Sequence, residues 1–424
     1  MRVAVFGVVL LAFLFVPWVS WTPAHGVELK RPRVTSGDEP HYLLVVNSLL
    51  RDGDLLLGDD YQRVRNGGAE AGLDFRGQEL DHHTILVDQS GHAVWQRIYN
   101  WRVHLRGGGF QRLQPGFANA LEVPAHPPAF PALVALLLLP LRLAPEELEP
   151  WAISTVALIS FATLLALYAA ARRAAFTERE ALAAVLLTAL ASPALPYARS
   201  FFSEPAIGLV LSLALWARLV QRPVLCGVLC FAAAAIKLPF GLVALGWGLT
   251  GDRRQATRLL STFAALCVAL LAFNFGLAHS PVIGGAAVVG LASGPAELGG
   301  LFFSDNHGLF AFAPWTAAGI IVVVRAAVRE EPGPLRELAF GALPVLAVLS
   351  VTSLELGGYC YGPRYLVPFL PWLSLATVAA WREAGIRWRA IIAALAIAGA
   401  AIAVPGAVRY RDLFDREWAA AWQK

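Results

Sequence analysis

Charge is what this sequence lacks most. Of its 424 residues only 15% are Asp, Glu, Lys or Arg, against roughly 25% in a typical soluble domain. A shortfall of that size excludes a surface that faces water throughout. Cysteine is scarce too: Cys226, Cys230, Cys267 and Cys360 offer neither a metal-ligand spacing nor a disulfide framework. The first three lie in apolar runs, where a small thiol packs as a hydrophobe. A continuous basic face is also missing. The net charge is +4, yet the basic residues stand in small clusters between apolar segments, which excludes a nucleic-acid-binding surface.

What is present is apolar length. Hydrophobic residues make up 57% of the chain and the mean hydropathy is +0.58. Runs of roughly 20 apolar residues cross about 30 Å of hydrocarbon. Arg2 precedes an apolar run over 3–21, and no small-residue cleavage site follows. That predicts an uncleaved first helix with a cytoplasmic N-terminus rather than a removed signal peptide. Residues 22–124 are polar and aromatic and form a large external loop. Within it, Tyr42, Val45, Val46 and Leu49 recur at helical spacing and predict a helix over 39–50. Alternating runs at 84–87 and 93–98 flank turn residues at 88–91 and predict a small β-hairpin, and the glycines at 107–109 mark a flexible connection. The apolar stretch 126–143 is broken by Pro127, Pro128, Pro131 and Pro140, so it reads as a helix at the membrane interface.

From there apolar segments alternate with loops. The run 151–171 ends inside at Arg172 and Arg173. Further spans follow at 181–195, 205–219, 224–236, 238–249, 259–277, 314–324, 338–351, 366–380 and 390–404. Every inner turn carries basic residues, while the short outer turns hold only Arg199, Lys237 and Arg364, as the positive-inside rule requires. The expected fold is an all-α polytopic membrane protein of about 11 transmembrane helices. Residues 1–22 are its first transmembrane helix and 23–150 an external loop with juxtamembrane helices. Residues 151–408 are the transmembrane bundle and 409–424 an external tail.

Four acidic or basic motifs converge on the external boundary of this topology. Asp38 and Glu39 open the helix at 39–50, with Asp54 soon after. These carboxylates suit helix capping, and equally a general base or a metal ligand. Glu204 stands where one segment ends outside and the next begins, again a capping position or a functional one. Lys237 interrupts an apolar stretch; a charge there costs about 2.5–3.5 kcal/mol on insertion scales, so it marks a functional site unless it snorkels. Arg364 lies among Tyr359, Tyr361 and Tyr365, after Glu355. It either anchors an aromatic interfacial belt or grips phosphate oxygens. His307, beside Asp305, reads as a hydrogen-bonded loop histidine more readily than a metal ligand.

In these residues the sequence resembles the GT-C membrane glycosyltransferases, of the protein O-mannosyltransferase and lipid A aminoarabinose transferase type. Asp38-Glu39 and Gly53-Asp54 match the opening of that family's first external loop, and His126-Pro127-Pro128 its proline-bearing amphipathic helix. Glu204 takes the place of a second acidic residue, and Lys237 that of an external lysine. The likeness runs in order through about the first 250 residues. It departs at His126, where the aminoarabinose transferase has another basic residue, at Glu204 in place of Asp, and over 59–114, which match nothing in the well-known members.

The resemblance implies transfer of a hexosyl or pentosyl group from a polyprenyl-phosphate-linked donor to a cell-envelope glycan, lipid or protein. The setting would be a bacterial inner membrane, with the active face periplasmic and membrane lipids around it. Asp38 and Glu39 would be catalytic, with Asp38 as the base. Asp54, His126, Glu204, Lys237, Arg364 and Tyr365 would bind substrate, Lys237 and Arg364 meeting the lipid phosphate. Glu39, Asp54 or Glu204 would orient the acceptor or hold a divalent metal. A single base acting on one face implies inversion at the anomeric carbon. A transporter or flippase would instead show inverted repeats and midplane charges, and the sequence has neither in clear form. A polysaccharide ligase or polymerase would use the same outer face.

Overall fold

The computed structural model describes residues 2–22, 26–34, 38–65, 84–87, 93–95, 121–124, 126–250, 252–278, 295–329, 333–351 and 360–409. Expectations for 88–91, 107–109, Glu355 and Tyr359 lie outside the described residues, as do those for 410–424 and most of the inserted stretch 59–114. The chain divides into two compact units. One comprises Met1–Pro32, Ile153–Ala264 and Val289–Lys424, the other Arg33–Ala152 and Ala265–Val288.

The first unit begins with α1 (Arg2–Phe15), which buries Val9 and Phe13 and sets Phe6 edge-on against Phe161 and Tyr168 at 6.1 and 5.5 Å. This helix is shorter than the apolar run 3–21 suggests. Pro17 has no N–H to continue the ladder, so the chain tightens into a 3-10 turn at Val16–Trp18. It then enters a hairpin, β1 (Val19–Thr22) antiparallel to β2 (Gly26–Leu29).

In the second unit, α2 (Glu39–Arg51) and α3 (Gly58–Arg65) precede a small antiparallel sheet. The central strand β3 (Thr84–Val87) pairs with β4 (Ala93–Trp95), as the alternating pattern predicts. It also pairs with β5 (Leu121–Pro124), which the sequence did not announce. The interfacial segment becomes α4 (Ala129–Leu138), with Pro128 at its N-cap position and a 3-10 turn around Pro140 at its end. Arg51 crosses to donate to the Leu143 carbonyl at 2.6 Å, and Val34 N–H to Glu149 Oε1 at 2.7 Å.

The next helix, α5 (Pro145–Arg173), starts six residues before the run 151–171 and passes through Pro150. Its first turn explains the early start: Glu146 and Glu147 complement the helix dipole, and Glu147 Oε2 accepts from Ala144 N–H at 3.2 Å. The helices α6 (Glu178–Leu190), α7 (Ala194–Tyr197), α8 (Glu204–Leu219) and α9 (Pro223–Ile236) follow. Thr177 and Glu180 close a reciprocal capping box at the start of α6. After Lys237 a 3-10 segment, Leu238–Leu242, leads into α10 (Val243–Thr250), then α11 (Arg253–Ala278), α12 (Pro295–Phe303) and α13 (Leu309–Phe312). Last come α14 (Thr316–Val328), α15 (Pro334–Val351), the 3-10 segment Arg364–Phe369, α16 (Leu370–Glu383) and α17 (Ile386–Val408).

Within the first unit α14 packs on α16, α8 on α9, and α10 on α15. Small residues permit these approaches. A Cβ on Gly246 would collide with the Phe340 carbonyl, so α10 and α15 meet backbone to backbone. Polar bonds add to the packing: Thr188 Oγ1 donates to Ser374 Oγ at 2.9 Å, and Trp315 Nε1 to the Ala191 carbonyl at 2.6 Å. Trp247 stacks on Trp372 at 5.6 Å and donates to the Glu337 carbonyl at 2.7 Å.

Among the described residues four helices are long and apolar enough to cross a membrane: Pro145–Arg173, Arg253–Gly276, Pro334–Val351 and Ile386–Val408. The segments Arg2–Trp18, Ala129–Leu141, Pro223–Ile236, Leu238–Thr250 and Thr316–Val328 are apolar but shorter.

Candidate functional site

In the first unit three separate segments deliver one ionic cluster. Ser203 holds the N-cap position of α8 without a side-chain capping bond, Glu204 is the first helical residue, and Pro205 fixes the first turn. Glu204 is therefore not a cap. Its side chain is fully buried, and its Oε1 accepts from Lys237 Nζ and from Arg364 Nε, each at 2.8 Å. The N-terminal end of α8 adds a favourable dipole for the carboxylate.

Lys237 reaches this point because the chain turns extended there, at φ −159°, between α9 and the 3-10 segment that Pro239 opens. Arg364 is placed by Gly362, which takes φ +62° and lies where a Cβ would press on the Phe312 ring at 2.9 Å. Both cations also face aromatic rings. Arg364 stands 4.1 Å from the Phe202 centroid and Lys237 4.4 Å from that of Tyr365.

Among the described residues, one carboxylate oxygen thus gathers two cations. Glu204 Oε2 has no hydrogen-bond partner among the described residues, and a cavity of about 20 Å³ beside Glu204 is lined by Ser160, Thr163 and Thr188. A second opening is apolar. A groove of about 290 Å³ runs along α14 and α15, and its wall includes Leu366 and Phe369, which share a 3-10 segment with Arg364 and Tyr365.

Around the cluster, Cys360 is fully buried, and burial pushes its thiol up to about 12, so it stays neutral. His307 meets the Gly362 carbonyl through Nδ1 at 3.3 Å, as expected of a hydrogen-bonded loop histidine.

The second unit holds the other predicted residues. Asp38 stands at the N-cap position of α2 but in helical geometry, φ −76° and ψ −19°, and makes no side-chain capping bond. Its Oδ1 lies 3.6 Å from His126 Nε2. Tyr42, four residues on and so on the same face of α2, packs against His126 at 5.5 Å and edge-on to Phe130 at 5.4 Å. Residues 88 positions apart in sequence are thus brought together, and the Tyr42 ring, itself backed by Phe130, lies against the imidazole. The sequence reading placed Tyr42 on the helix but not beside His126, although its spacing of four from Asp38 was the available signal. Glu39 is fully buried in the first turn.

Asp54 takes a different place. Its Oδ1 accepts from Leu56 N–H at 2.9 Å and from Ser48 Oγ at 3.2 Å, which builds the turn after α2. Beside it, Asn47 Nδ2 donates to Asp60 Oδ1 at 3.3 Å, with both side chains fully buried. Burial raises Asp60 to about 6, against the pull of Arg63, whose Nη2 lies 3.1 Å from its carboxylate. Among the described residues no three His, Cys, Asp or Glu side chains form a metal-ligand set. The placed neighbours of Glu204 are cations and those of Asp54 are turn groups, so neither fits the divalent ion that the resemblance implied.

No family model and no curated protein matches the sequence. Solved structures do match. ArnT from Cupriavidus metallidurans, bound to undecaprenyl phosphate, aligns over 94% of this chain at 18% identity and a TM-score of 0.54. An Archaeoglobus fulgidus oligosaccharyltransferase tethered to an acceptor peptide aligns over 99% at 13% identity and 0.58. AglB from the same organism, in complex with an inhibitory peptide and a dolichol-phosphate, aligns over 96% at 12% identity and 0.53. The chain shares the fold of these structures.

This chain covers 64%, 56% and 54% of the length of those three structures. That shared fold is mostly helical here, with four helices long and apolar enough to cross a membrane among the described residues.

Proposed function

We propose that this protein is a membrane glycosyltransferase that moves a sugar from a polyprenyl-phosphate-linked donor to an acceptor hydroxyl. The observation that carries this reading is the convergence of Lys237 and Arg364 on one oxygen of the buried Glu204. A lipid phosphate leaving group gathers charge as its bond to the sugar breaks, and fixed cations at that point lower the barrier. Glu204 holds both cations in place before the donor arrives. The groove walled by Leu366 and Phe369 offers an apolar path for the carrier chain beside them in sequence. The undecaprenyl phosphate of ArnT and the dolichol-phosphate of AglB are ligands of the same chemistry on the same fold.

In the reaction, Asp38 accepts the proton of the acceptor hydroxyl, whose oxygen attacks the anomeric carbon as the carbon–oxygen bond to phosphate breaks. The products are a glycosylated acceptor of inverted configuration and a polyprenyl phosphate. His126 orients Asp38, Glu39 and Asp54 support acceptor binding, and Tyr365 braces Lys237. No step passes through a metal.

The reading includes about 11 spans, with the shorter apolar helices among them, and a cytoplasmic N-terminus. It sets 1–22 as the first span, 23–150 as a periplasmic segment, 151–408 as the bundle and 409–424 as a periplasmic tail, in a bacterial inner membrane. The sugar is a hexose or pentose, and the acceptor a cell-envelope glycan, lipid or protein.

The test is release of polyprenyl phosphate from a panel of lipid-linked sugars by purified wild type and Asp38→Asn. Loss of a general base lowers the rate by about 10²–10⁴-fold, with unchanged melting. Equal release by both proteins removes Asp38 from the chemistry. Release by neither, from any donor, overturns the transferase reading. Retention of the donor's anomeric configuration would sink the single-base mechanism.

A further inference from the structure

The hairpin that follows α1 has two unlike faces. Its register pairs Val19 with Leu29, Ser20 with Glu28 and Trp21 with Val27. Cross-strand partners share a face and neighbours along a strand alternate, so Val19, Trp21, Val27 and Leu29 form one side and Ser20 and Glu28 the other. The polar side meets the protein at Ser20, which is buried, and stays part-exposed at Glu28, while Arg199 Nη1 donates to the Val19 carbonyl at 2.7 Å. On the apolar side Val27 is 69% exposed and Leu29 75%. Exposed valine and leucine side chains at alternate positions of an edge strand are a hazard in water.

Three observations indicate what covers them. On α1 the residues Val8, Leu11 and Phe15 are exposed at spacings of three and four, opposite the packed Val9 and Phe13, and Trp18 in the 3-10 turn that follows is exposed too. The hairpin begins at the residue after this tryptophan. Trp21 carries the Arg409 guanidinium 4.5 Å from its ring centroid, an aromatic-basic pair of the kind found at membrane boundaries. Directly after Leu29 come Lys30 and Arg31, both exposed. Lys30 also reaches Glu28 at 2.5 Å.

We infer that the apolar face of this hairpin is seated in the interfacial layer of the bilayer on the side where α1 ends, with Val27 and Leu29 among the upper acyl segments and Lys30 and Arg31 at the lipid phosphates. The lipid-facing surface of α1 therefore does not stop at the helix end. It continues across a β-ribbon, which fixes the depth at which the chain leaves the membrane before the segment that carries Asp38. The occupant is phospholipid, because the apolar face and the basic rim together match its acyl boundary and its phosphates.

The experiment uses the full chain in phospholipid vesicles, with Cys267→Ser so that the remaining cysteines are the buried Cys226, Cys230 and Cys360. An environment-sensitive fluorophore is attached in turn at Val27→Cys, Leu29→Cys and Glu28→Cys. Labels at 27 and 29 are expected to emit to the blue and to be quenched by lipids brominated near the headgroup at least about twofold more than the label at 28. Aqueous iodide is expected to show the reverse order. If iodide reaches 27 and 29 as readily as 28, the face lies in water and the inference fails. If neither quencher reaches 27 and 29, protein covers the face and the inference fails equally.

Discussion

Lys237 and Arg364, 127 residues apart, both donate to the same oxygen of Glu204 at 2.8 Å. Two cations on one buried carboxylate oxygen make its removal worse than the removal of either partner. Glu204→Ala takes the shared carboxylate from both cations at once, whereas Lys237→Met leaves Arg364 bonded to it. Glu204→Ala is expected to lower stability by about 3–5 kcal/mol, as for a broken buried pair, and Lys237→Met by much less. Thermal unfolding in detergent checks the order, and an alanine variant that melts with wild type would refute it.

Lys237→Met and Arg364→Met separate stability from binding. Each removes one cation from the proposed phosphate site, so the apparent KM for a lipid-linked donor should rise about tenfold or more, in line with a lost charge-assisted contact. Uncharged soluble sugars should show no such difference. Equal donor kinetics in both variants and wild type would move the phosphate elsewhere.

His126 acts on Asp38 across 3.6 Å and is wedged by Tyr42. Under the proposed mechanism His126 positions the base Asp38, so its loss should lower kcat about tenfold with KM nearly unchanged. Because a glutamine amide can also donate to a carboxylate, His126→Gln should recover part of the loss that His126→Ala shows. A KM effect without a kcat effect would reassign His126 to substrate binding.

Asp60 gives a pH signature. Its folded pKa is about 6, raised from 3.8 chiefly by burial, so between those values the folded chain binds more protons than the unfolded chain. Stability therefore falls as pH rises from about 4 to about 6, and the penalty is fully present above that range. Asp60→Asn removes the slope and offers an N–H to Asn47 Oδ1, which is buried and without a partner among the described residues. The variant should melt higher than wild type at pH 7 and show no difference near pH 4. A variant less stable at pH 7 would mean that the contact with Arg63 outweighs the cost of burial.

Much of this was readable in the sequence, for definite reasons. Glu204, Lys237 and Arg364 stand out because a charge beside apolar runs is costly and so is noticed. Their meeting on one oxygen was not readable, since no local rule links positions 33 and 160 residues apart. The helix ends shifted where local chemistry competes with hydropathy, as at Pro17 and at Glu146-Glu147. Strand β5 went unseen because four residues carry too short a pattern. Strand β1 was absorbed into an apolar run that looked wholly helical, and β2 into the polar loop after it. Asn47 and Asp60 were missed because a buried polar pair inside an amphipathic segment looks, in sequence, like two solvated residues.

Arg199 ties the hairpin to the far end of the chain, since the same Nη1 that meets Val19 also donates to the Ala407 and Val408 carbonyls at the end of α17. That geometry sets an order in time. Arg199 and its last partner are 209 residues apart, so at roughly 5–20 residues per second the ribosome needs about 10–40 s to supply the second half of the clasp. Until then the Arg199–Val19 contact lacks its partners on α17, and the nascent chain must keep the ribbon from pairing with other strand edges.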